Sequence, residues 1–148
     1  MKTKELRIGN LVRRKGTDII TTVEEVLSSR INCFNPTLSK LSTAQLSNFE
    51  PIPLTDELIL RFKFHKYKDQ SVHPNRYWLT QGDWGFVIDK YFMEQPSWMF
   101  GHEYYDSGDD SLDYTPLWFK YNLRYVHELQ NLFFALTGTE LVLSDNIN

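Results

Sequence analysis

Four histidines and one cysteine are the residues of this chain best suited to bind a transition metal. His102-Glu103 begins like the helical motif of zinc proteases, in which a second histidine follows four positions after the first. Position 106 is an aspartate, and the segment around it has the composition of a strand. None of the other histidines, His65, His73 and His127, lies three or four residues from another histidine or from the cysteine. The sequence therefore predicts no metal site and no cofactor.

Four aspartates occur close together in one predicted loop and could bind calcium, because hard cations prefer several carboxylate oxygens. They are Asp106, Asp109, Asp110 and Asp113. The EF-hand pattern is absent, because Leu117 and Trp118 stand where a twelve-residue calcium loop that begins at Asp106 would need its bidentate carboxylate. We therefore interpret the segment as a solvated hairpin loop, with calcium binding as the alternative.

No arrangement suited to nucleophilic catalysis is found. Cys33 has no histidine within 30 residues and adjoins Phe34 on a predicted strand, so we expect it to be a small buried side chain. Neither Gly-x-Ser-x-Gly nor a glycine-rich phosphate loop occurs. Glu24 and Glu25 are adjacent, and on a strand they would point to opposite faces. The sequence thus favours a protein without enzymatic activity.

The charge is unevenly distributed along the chain. Residues 1–40 carry eight lysines and arginines against four acidic residues, whereas residues 81–119 carry Lys90 alone against eight acidic residues. A basic, strand-rich N-terminus could contact nucleic-acid phosphates. The candidate residues are Arg7, Arg13, Arg14, Lys15 and Arg30. Because no aromatic stacking pair lies among them in sequence, sequence-specific reading of a single strand is not predicted. A solvated basic surface is the alternative.

A second candidate surface is aromatic. Alternate residues of a strand point to opposite faces, so a single covering helix cannot bury all the tryptophans and tyrosines of the second half. The residues we expect to contribute are Trp78, Trp84, Trp98, Tyr104 and Tyr105. Exposed aromatic clusters often form protein interfaces. We therefore expect first an accessory protein that binds a protein partner or a second copy of itself, and second a nucleic-acid-binding protein.

The first third of the chain has the pattern of a strand meander. Strands are predicted over 6–12, 19–26 and 31–34. Lys15-Gly16-Thr17-Asp18 separates the first two, Leu27-Ser28-Ser29-Arg30 separates the second from the third, and Asn35-Pro36-Thr37 ends the third. The segment 42–46 is predicted as one helical turn or a loop. Closely spaced strands of this kind are typical of SH3-like barrels. Pro51 and Pro53 then require extended backbone before them and mark a boundary. We assign 1–50 to an SH3-like β module and 54–143 to a second region.

The second region is predicted to be an antiparallel sheet covered by a helix. Thr55 can cap a short helix over 56–62, and strands are predicted over 76–80, 84–89, 98–105 and 114–121, with a possible edge strand at 141–143. A final helix over 122–138 has apolar residues at steps of three and four, with Asn122 as N-cap and Gly138 as C-terminal residue. We expect this helix to pack across the second sheet. The predicted class is α+β.

Three segments carry a resemblance. They are Glu5-Leu6-Arg7-Ile8-Gly9-Asn10, Pro51-Ile52-Pro53-Leu54-Thr55 and Tyr125-Val126-His127-Glu128-Leu129-Gln130-Asn131-Leu132, the last continued by Phe134-Ala135-Leu136-Thr137-Gly138. Together they resemble a family of small uncharacterised proteins of Bacteroidota and their phages and mobile elements. The resemblance implies a mobile-element setting and carries no catalytic or binding residues.

The composition fits an ordinary globular protein of 148 residues, with 41% hydrophobic residues. No apolar run reaches the roughly 20 residues needed to span a bilayer, and the N-terminus lacks the apolar centre of a secretion signal. With Cys33 as its only cysteine, the chain can form no internal disulfide. We therefore expect a cytoplasmic protein that does not bind membranes.

Overall fold

A computed structural model describes residues 1–35, 39–67, 71, 74–81, 84–92, 96–104 and 117–144 of the chain. The chain divides into two compact units. The first contains Met1–Leu54 and Tyr125–Leu141, and the second contains Thr55–Arg124 and Val142–Asn148. Each unit contains one five-stranded antiparallel sheet. The predicted α+β class is confirmed.

The first sheet contains strands β1 (Leu11–Arg14), β2 (Ile20–Val26), β3 (Arg30–Asn35), β4 (Lys40–Gln45) and β5 (Phe49–Glu50). Their order is β4-β3-β2-β1-β5, with 3-10 turns at Thr3–Glu5 and Leu46–Asn48. Two local predictions were wrong. Residues 42–45 belong to β4, which pairs with β3 from end to end, and the first strand begins only at Leu11. Residues 36–38 lie outside the described part.

Alternation along these strands builds the core of the first unit. Val12, Val23 and Ile31 point inward and have no exposed surface, and Leu6 and Phe49 complete the cluster. Cys33 belongs to the same cluster, as its position beside other strand residues predicted. The opposite face of this sheet is therefore free to carry polar side chains.

The second unit begins with helix α1 (Asp56–Arg61), whose Thr55 side chain accepts a hydrogen bond from the Leu58 amide, as predicted. Its sheet contains β6 (His65–Lys66), β7 (Arg76–Gln81), β8 (Trp84–Phe92), β9 (Pro96–Tyr104) and β10 (Leu117–Leu123), in the order β10-β9-β8-β7-β6. Phe86, Val87 and Ile88 are consecutive and all buried. Because consecutive strand residues point to opposite faces, both faces of β8 are covered there.

The final helix, α2 (Val126–Thr137), is shorter than expected and belongs to the first unit. Tyr125, not Asn122, is its N-cap, and the Tyr125 amide donates to Glu128 Oε2. Gly138 ends the helix as predicted, with a φ of 69° and its amide donating to the Phe134 carbonyl. The assignment of this helix to the second sheet was wrong. The expected edge strand at 141–143 is irregular chain.

The helices in the described part of the chain are short. None of them is long and apolar enough to cross a bilayer.

Candidate functional site

Arg7, the first of the predicted phosphate-binding residues, is engaged within the first unit. Its Nη2 donates to Glu140 Oε2 at 2.8 Å, and its Nη1 donates to Glu140 Oε1, so the ion pair is bidentate. The Arg7 guanidinium carbon lies 3.9 Å from the ring centroid of Phe134. Arg7 therefore joins the N-terminal segment to the end of α2, and its charge is already neutralised.

Gly9, two residues later, lies against the same carboxylate. Its φ is 88°, a backbone conformation that residues with a side chain rarely adopt. A Cβ placed on Gly9 would lie 2.8 Å from Glu140 Oε2. The glycine thus permits both the turn and the close approach of Glu140. The sequence resemblance includes both Arg7 and Gly9, and the structure gives each a packing role.

A polar network on α2 also joins this helix to the N-terminal segment. Gln130, which is 1% exposed, accepts from the Leu11 amide at 2.9 Å and donates to the carbonyls of Gly9 and Leu141, both at 3.1 Å. Asn131 Oδ1 accepts from Asn10 Nδ2 at 2.8 Å, and Asn131 Nδ2 donates to the Glu5 carbonyl. These bonds connect the Glu5–Asn10 motif to the helix motif. Sequence analysis missed them because it followed only the apolar face of the helix.

His127 is buried beside this network. Burial lowers the pKa of its imidazole, although the carboxylates of Glu128 and Glu5 raise it in part. Its ring stacks on Tyr125 with centroids 5.8 Å apart, and its Nδ1 has no hydrogen-bond partner among the described residues. The imidazole is therefore held mainly in its neutral form.

Arg13 is also paired. Its Nη2 lies 2.7 Å from Glu50 Oε1. The two residues are cross-strand partners in the antiparallel pair of β1 and β5. Arg7 and Arg13 therefore each have a carboxylate partner that sequence spacing could not reveal. That they contact phosphates stays a prediction.

Three predicted cations remain on the surface. Arg14 and Lys15 lie at the turn between β1 and β2, and Arg30 begins β3; all three are exposed. None of them forms an ion pair with another described residue. The turn is held by the Lys15 amide, which donates to the Asn48 carbonyl, and by the Thr17 amide, which donates to the Arg14 carbonyl.

An open pocket of about 560 Å³ lies in the first unit next to these cations. Lys2 and Lys15 line it together with hydroxyl and amide side chains. The polar members are Thr3, Ser28, Ser29, Gln45 and Ser47. Its one acidic residue, Glu50, is the partner of Arg13. When the side-chain amide of Gln45 is flipped, its oxygen accepts a hydrogen bond from Arg30 Nε at 3.0 Å. Because Gln45 lines the pocket, Arg30 lies at the margin of the pocket. Such a lining can bind an anion by charge and by hydrogen bonds.

The aromatic candidates are less fully described. Trp78 on β7 is half-buried, and its ring centroid lies 5.7 Å from that of His65. Trp84, Trp98 and Tyr104 are placed in strands, where Trp84 is paired with Tyr104; their side chains, and the whole of Tyr105, lie outside the described residues. The aromatic surface stays a prediction.

A cluster of polar side chains in the second unit holds its secondary-structure elements together. Asp56, at the first position of α1, accepts from Tyr77 Oη at 2.7 Å and pairs with Lys90. Burial and the Asp56 carboxylate raise the pKa of the Tyr77 hydroxyl well above its usual range. Arg76 and Asp89 form a bidentate pair across β7 and β8. The Asp56 contacts attach α1 to its sheet, and the Arg76–Asp89 pair joins two strands within the sheet.

Among the described residues, no three His, Cys, Asp or Glu side chains lie close enough together to hold a metal ion. Burial raises the pKa of the Cys33 thiol, and a thiol is a weaker nucleophile than a thiolate. The side chains of His102 and of the aspartate loop 106–113 lie outside the described part.

Comparison with known proteins gives no relative: no protein-family profile, curated protein or solved structure matches this chain significantly.

Proposed function

We propose that this chain is a non-enzymatic accessory protein that binds nucleic acid through the phosphate backbone, using the exposed cations of its first unit. The single observation that carries the proposal is the position of Lys15. It is exposed, lines the open pocket of about 560 Å³, and stands beside Arg14 on the turn between β1 and β2. A polyanion is the ligand that such a surface favours.

The ion pairs of the arginines support a distinction between cations that stabilise the unit and cations that can bind phosphate. Arg7 and Arg13 have carboxylate partners and stabilise the unit, whereas Arg14, Lys15 and Arg30 have no ion-pair partner among the described residues. An unpaired surface cation can release counterions from a phosphate chain, and a paired one gains less. The binding residues are therefore Arg14, Lys15 and Arg30, with Lys2 from the pocket.

The experiment is a salt titration of binding to a labelled 20-mer, measured by fluorescence anisotropy from 50 to 200 mM salt, with a single strand and a duplex in parallel. We expect the double variant Arg14→Glu, Lys15→Glu to bind at least tenfold more weakly at 50 mM salt. The magnitude of the salt slope should fall by about 0.7–0.9 for each phosphate that the variant no longer neutralises.

A matched control has the same change of charge elsewhere. Lys63 and Lys66 are exposed residues of the second unit, so Lys63→Glu, Lys66→Glu should bind like the parent. Absence of binding by the parent at 50 mM salt, or equal weakening by both double variants, would overturn the proposal.

We keep as further proposals the SH3-like character of the first sheet, a cytoplasmic location, and a setting in a phage or mobile element. The protein-partner hypothesis through Trp78, Trp84, Trp98, Tyr104 and Tyr105 also stays open. A measurement of molar mass by light scattering, with and without host lysate proteins, tests it directly.

A further inference from the structure

The outward face of β3 and β4 combines a cation, polar groups and an aromatic ring. On β3, Ile31 and Cys33 point into the core, so Arg30, Asn32 and Phe34 share the opposite face. The register pairs each of them with a residue of β4. The pairs are Arg30 with Gln45, Asn32 with Thr43, and Phe34 with Leu41.

Phe34 and Leu41 are unusually exposed for their size. Their exposed fractions are 44% and 61%, against 5% for the neighbouring Cys33. As a directly cross-strand pair they form one apolar patch on the sheet rather than two isolated side chains. Such a patch leaves apolar surface of the Phe34 ring accessible to a ligand.

Polar groups next to the patch are held in fixed orientations. Asn32 accepts from the Thr43 hydroxyl through Oδ1 and donates to Glu25 through Nδ2, both at 2.5 Å. These side chains lie between Phe34 and Arg30, which are about 13 Å apart along the strand. The order along the face is therefore ring, amide and hydroxyl, then guanidinium.

We propose that this face, defined by Arg30, Asn32, Phe34, Leu41 and Thr43, binds single-stranded nucleic acid, with one base stacked on Phe34 and a phosphate held by Arg30. The proposal rests on the proposed function and names its substrate class. Every base has a π-face, but in a duplex both faces of an internal base are already stacked, so an exposed ring on a sheet selects unpaired bases.

The charges of the face favour this occupant over a protein strand. Arg30 lies at one end of the face and has no ion-pair partner among the described residues. Glu25 is paired with Asn32 across β2 and β3 and accepts a hydrogen bond from its amide, so this carboxylate is engaged within the sheet. An unpaired cation and an exposed aromatic ring on one face complement a chain that alternates phosphates and bases.

The test compares an unpaired oligonucleotide, dT20, with a 20-base-pair duplex at 50 mM salt by fluorescence anisotropy. We expect the parent to bind dT20 more tightly, and Phe34→Ala to weaken that binding about 5- to 100-fold while leaving duplex binding within twofold. Phe34→Trp should restore it, and Phe34→Leu, which keeps apolar volume without a ring, should not. Leu27→Ala is the matched control, because Leu27 is similarly exposed at 39% but lies in the turn after β2.

The outcomes separate this inference from the proposed function. The inference is overturned if dT20 and duplex bind equally and Phe34→Ala weakens neither. If the double variant Arg14→Glu, Lys15→Glu weakens both, the proposed function still stands. Absence of any binding by the parent overturns both. A parent dimer that Phe34→Ala converts to a monomer, with no preference for dT20, would identify the face as an interface between copies and also overturn the inference.

Discussion

The guanidinium of Arg7 lies against the ring of Phe134, 3.9 Å from its centroid, although the two residues stand near opposite ends of the chain. The interaction continues through the bidentate pair with Glu140. The N-terminal segment and α2 are thus joined by charge and by stacking, and both belong to the same unit.

Removing the Arg7 side chain should destabilise the first unit. We expect Arg7→Ala to lower the free energy of unfolding by about 1–2 kcal/mol, since the ion pair is partly exposed and the stacking adds a cation–π interaction. Arg7→Lys should be intermediate, because an ammonium cannot bind both carboxylate oxygens in a planar fork. Urea denaturation measures the change, and Lys4→Ala, an exposed neighbour, is the control. An Arg7→Ala variant as stable as the parent would contradict the assigned role.

The amide of Gln130 should contribute more to stability than the Arg7 ion pair. Gln130→Ala leaves the Leu11 amide and the carbonyls of Gly9 and Leu141 without their partner. An unsatisfied buried group costs about 1–3 kcal/mol and a partly buried one less, and only the bond to Leu141 is fully buried, so we expect the free energy of unfolding to fall by about 2–3 kcal/mol. Asn131→Ala should cost less, because that side chain is only half-buried. Hydrogen exchange at the Leu11 amide should accelerate in the first variant; unchanged protection there would refute the bond.

The apolar face of α2 offers a pair of leucines with opposite surroundings. Leu129 has no exposed surface, whereas Leu136, seven residues later on the same helix, is 42% exposed. Leu129→Ala should cost about 2–5 kcal/mol. Leu136→Ala should stay within about 0.5 kcal/mol of the parent. Thermal melting of the two variants side by side checks the contrast, and equal destabilisation would contradict the difference in burial between Leu129 and Leu136.

Stability should fall in mildly acidic solution because of His127. Its pKa in the folded state lies below the ordinary value of 6.5, so on acidification the unfolded chain binds a proton before the folded chain does. The free energy of unfolding therefore decreases as the pH falls below about 6.5, by at most about 1.4 kcal/mol per pH unit, until the folded imidazole is itself protonated.

A variant without the titrating group isolates this effect. His127→Gln should flatten the dependence between pH 6.5 and 5, a range above the titration of Glu5 and Asp56, whose folded pKa values are lowered. Chemical denaturation at fixed ionic strength in half-unit pH steps is the measurement. A parent whose stability is constant from pH 7 to 5 would exclude the buried neutral imidazole.

The sequence alone determined the elements that depend on near neighbours. The Thr55 cap and the glycine at 138 fix the start of α1 and the end of α2 through local hydrogen bonds and backbone geometry. Strand β2 and the paired strands β7 and β8 were predicted from runs of β-branched and aromatic residues. Burial of Cys33 followed from its place among apolar strand residues.

Tertiary structure decided which side chains meet. Residues 42–45 have little strand character of their own and belong to β4 because β3 supplies hydrogen bonds to this strand. Arg7 has an ion-pair partner and a ring contact because the fold places Glu140 and Phe134 beside it. Phe34 lies across from Leu41 because of the register between β3 and β4. Contacts between residues far apart in sequence depend on how strands pair and how the helix docks, and no local pattern encodes that choice.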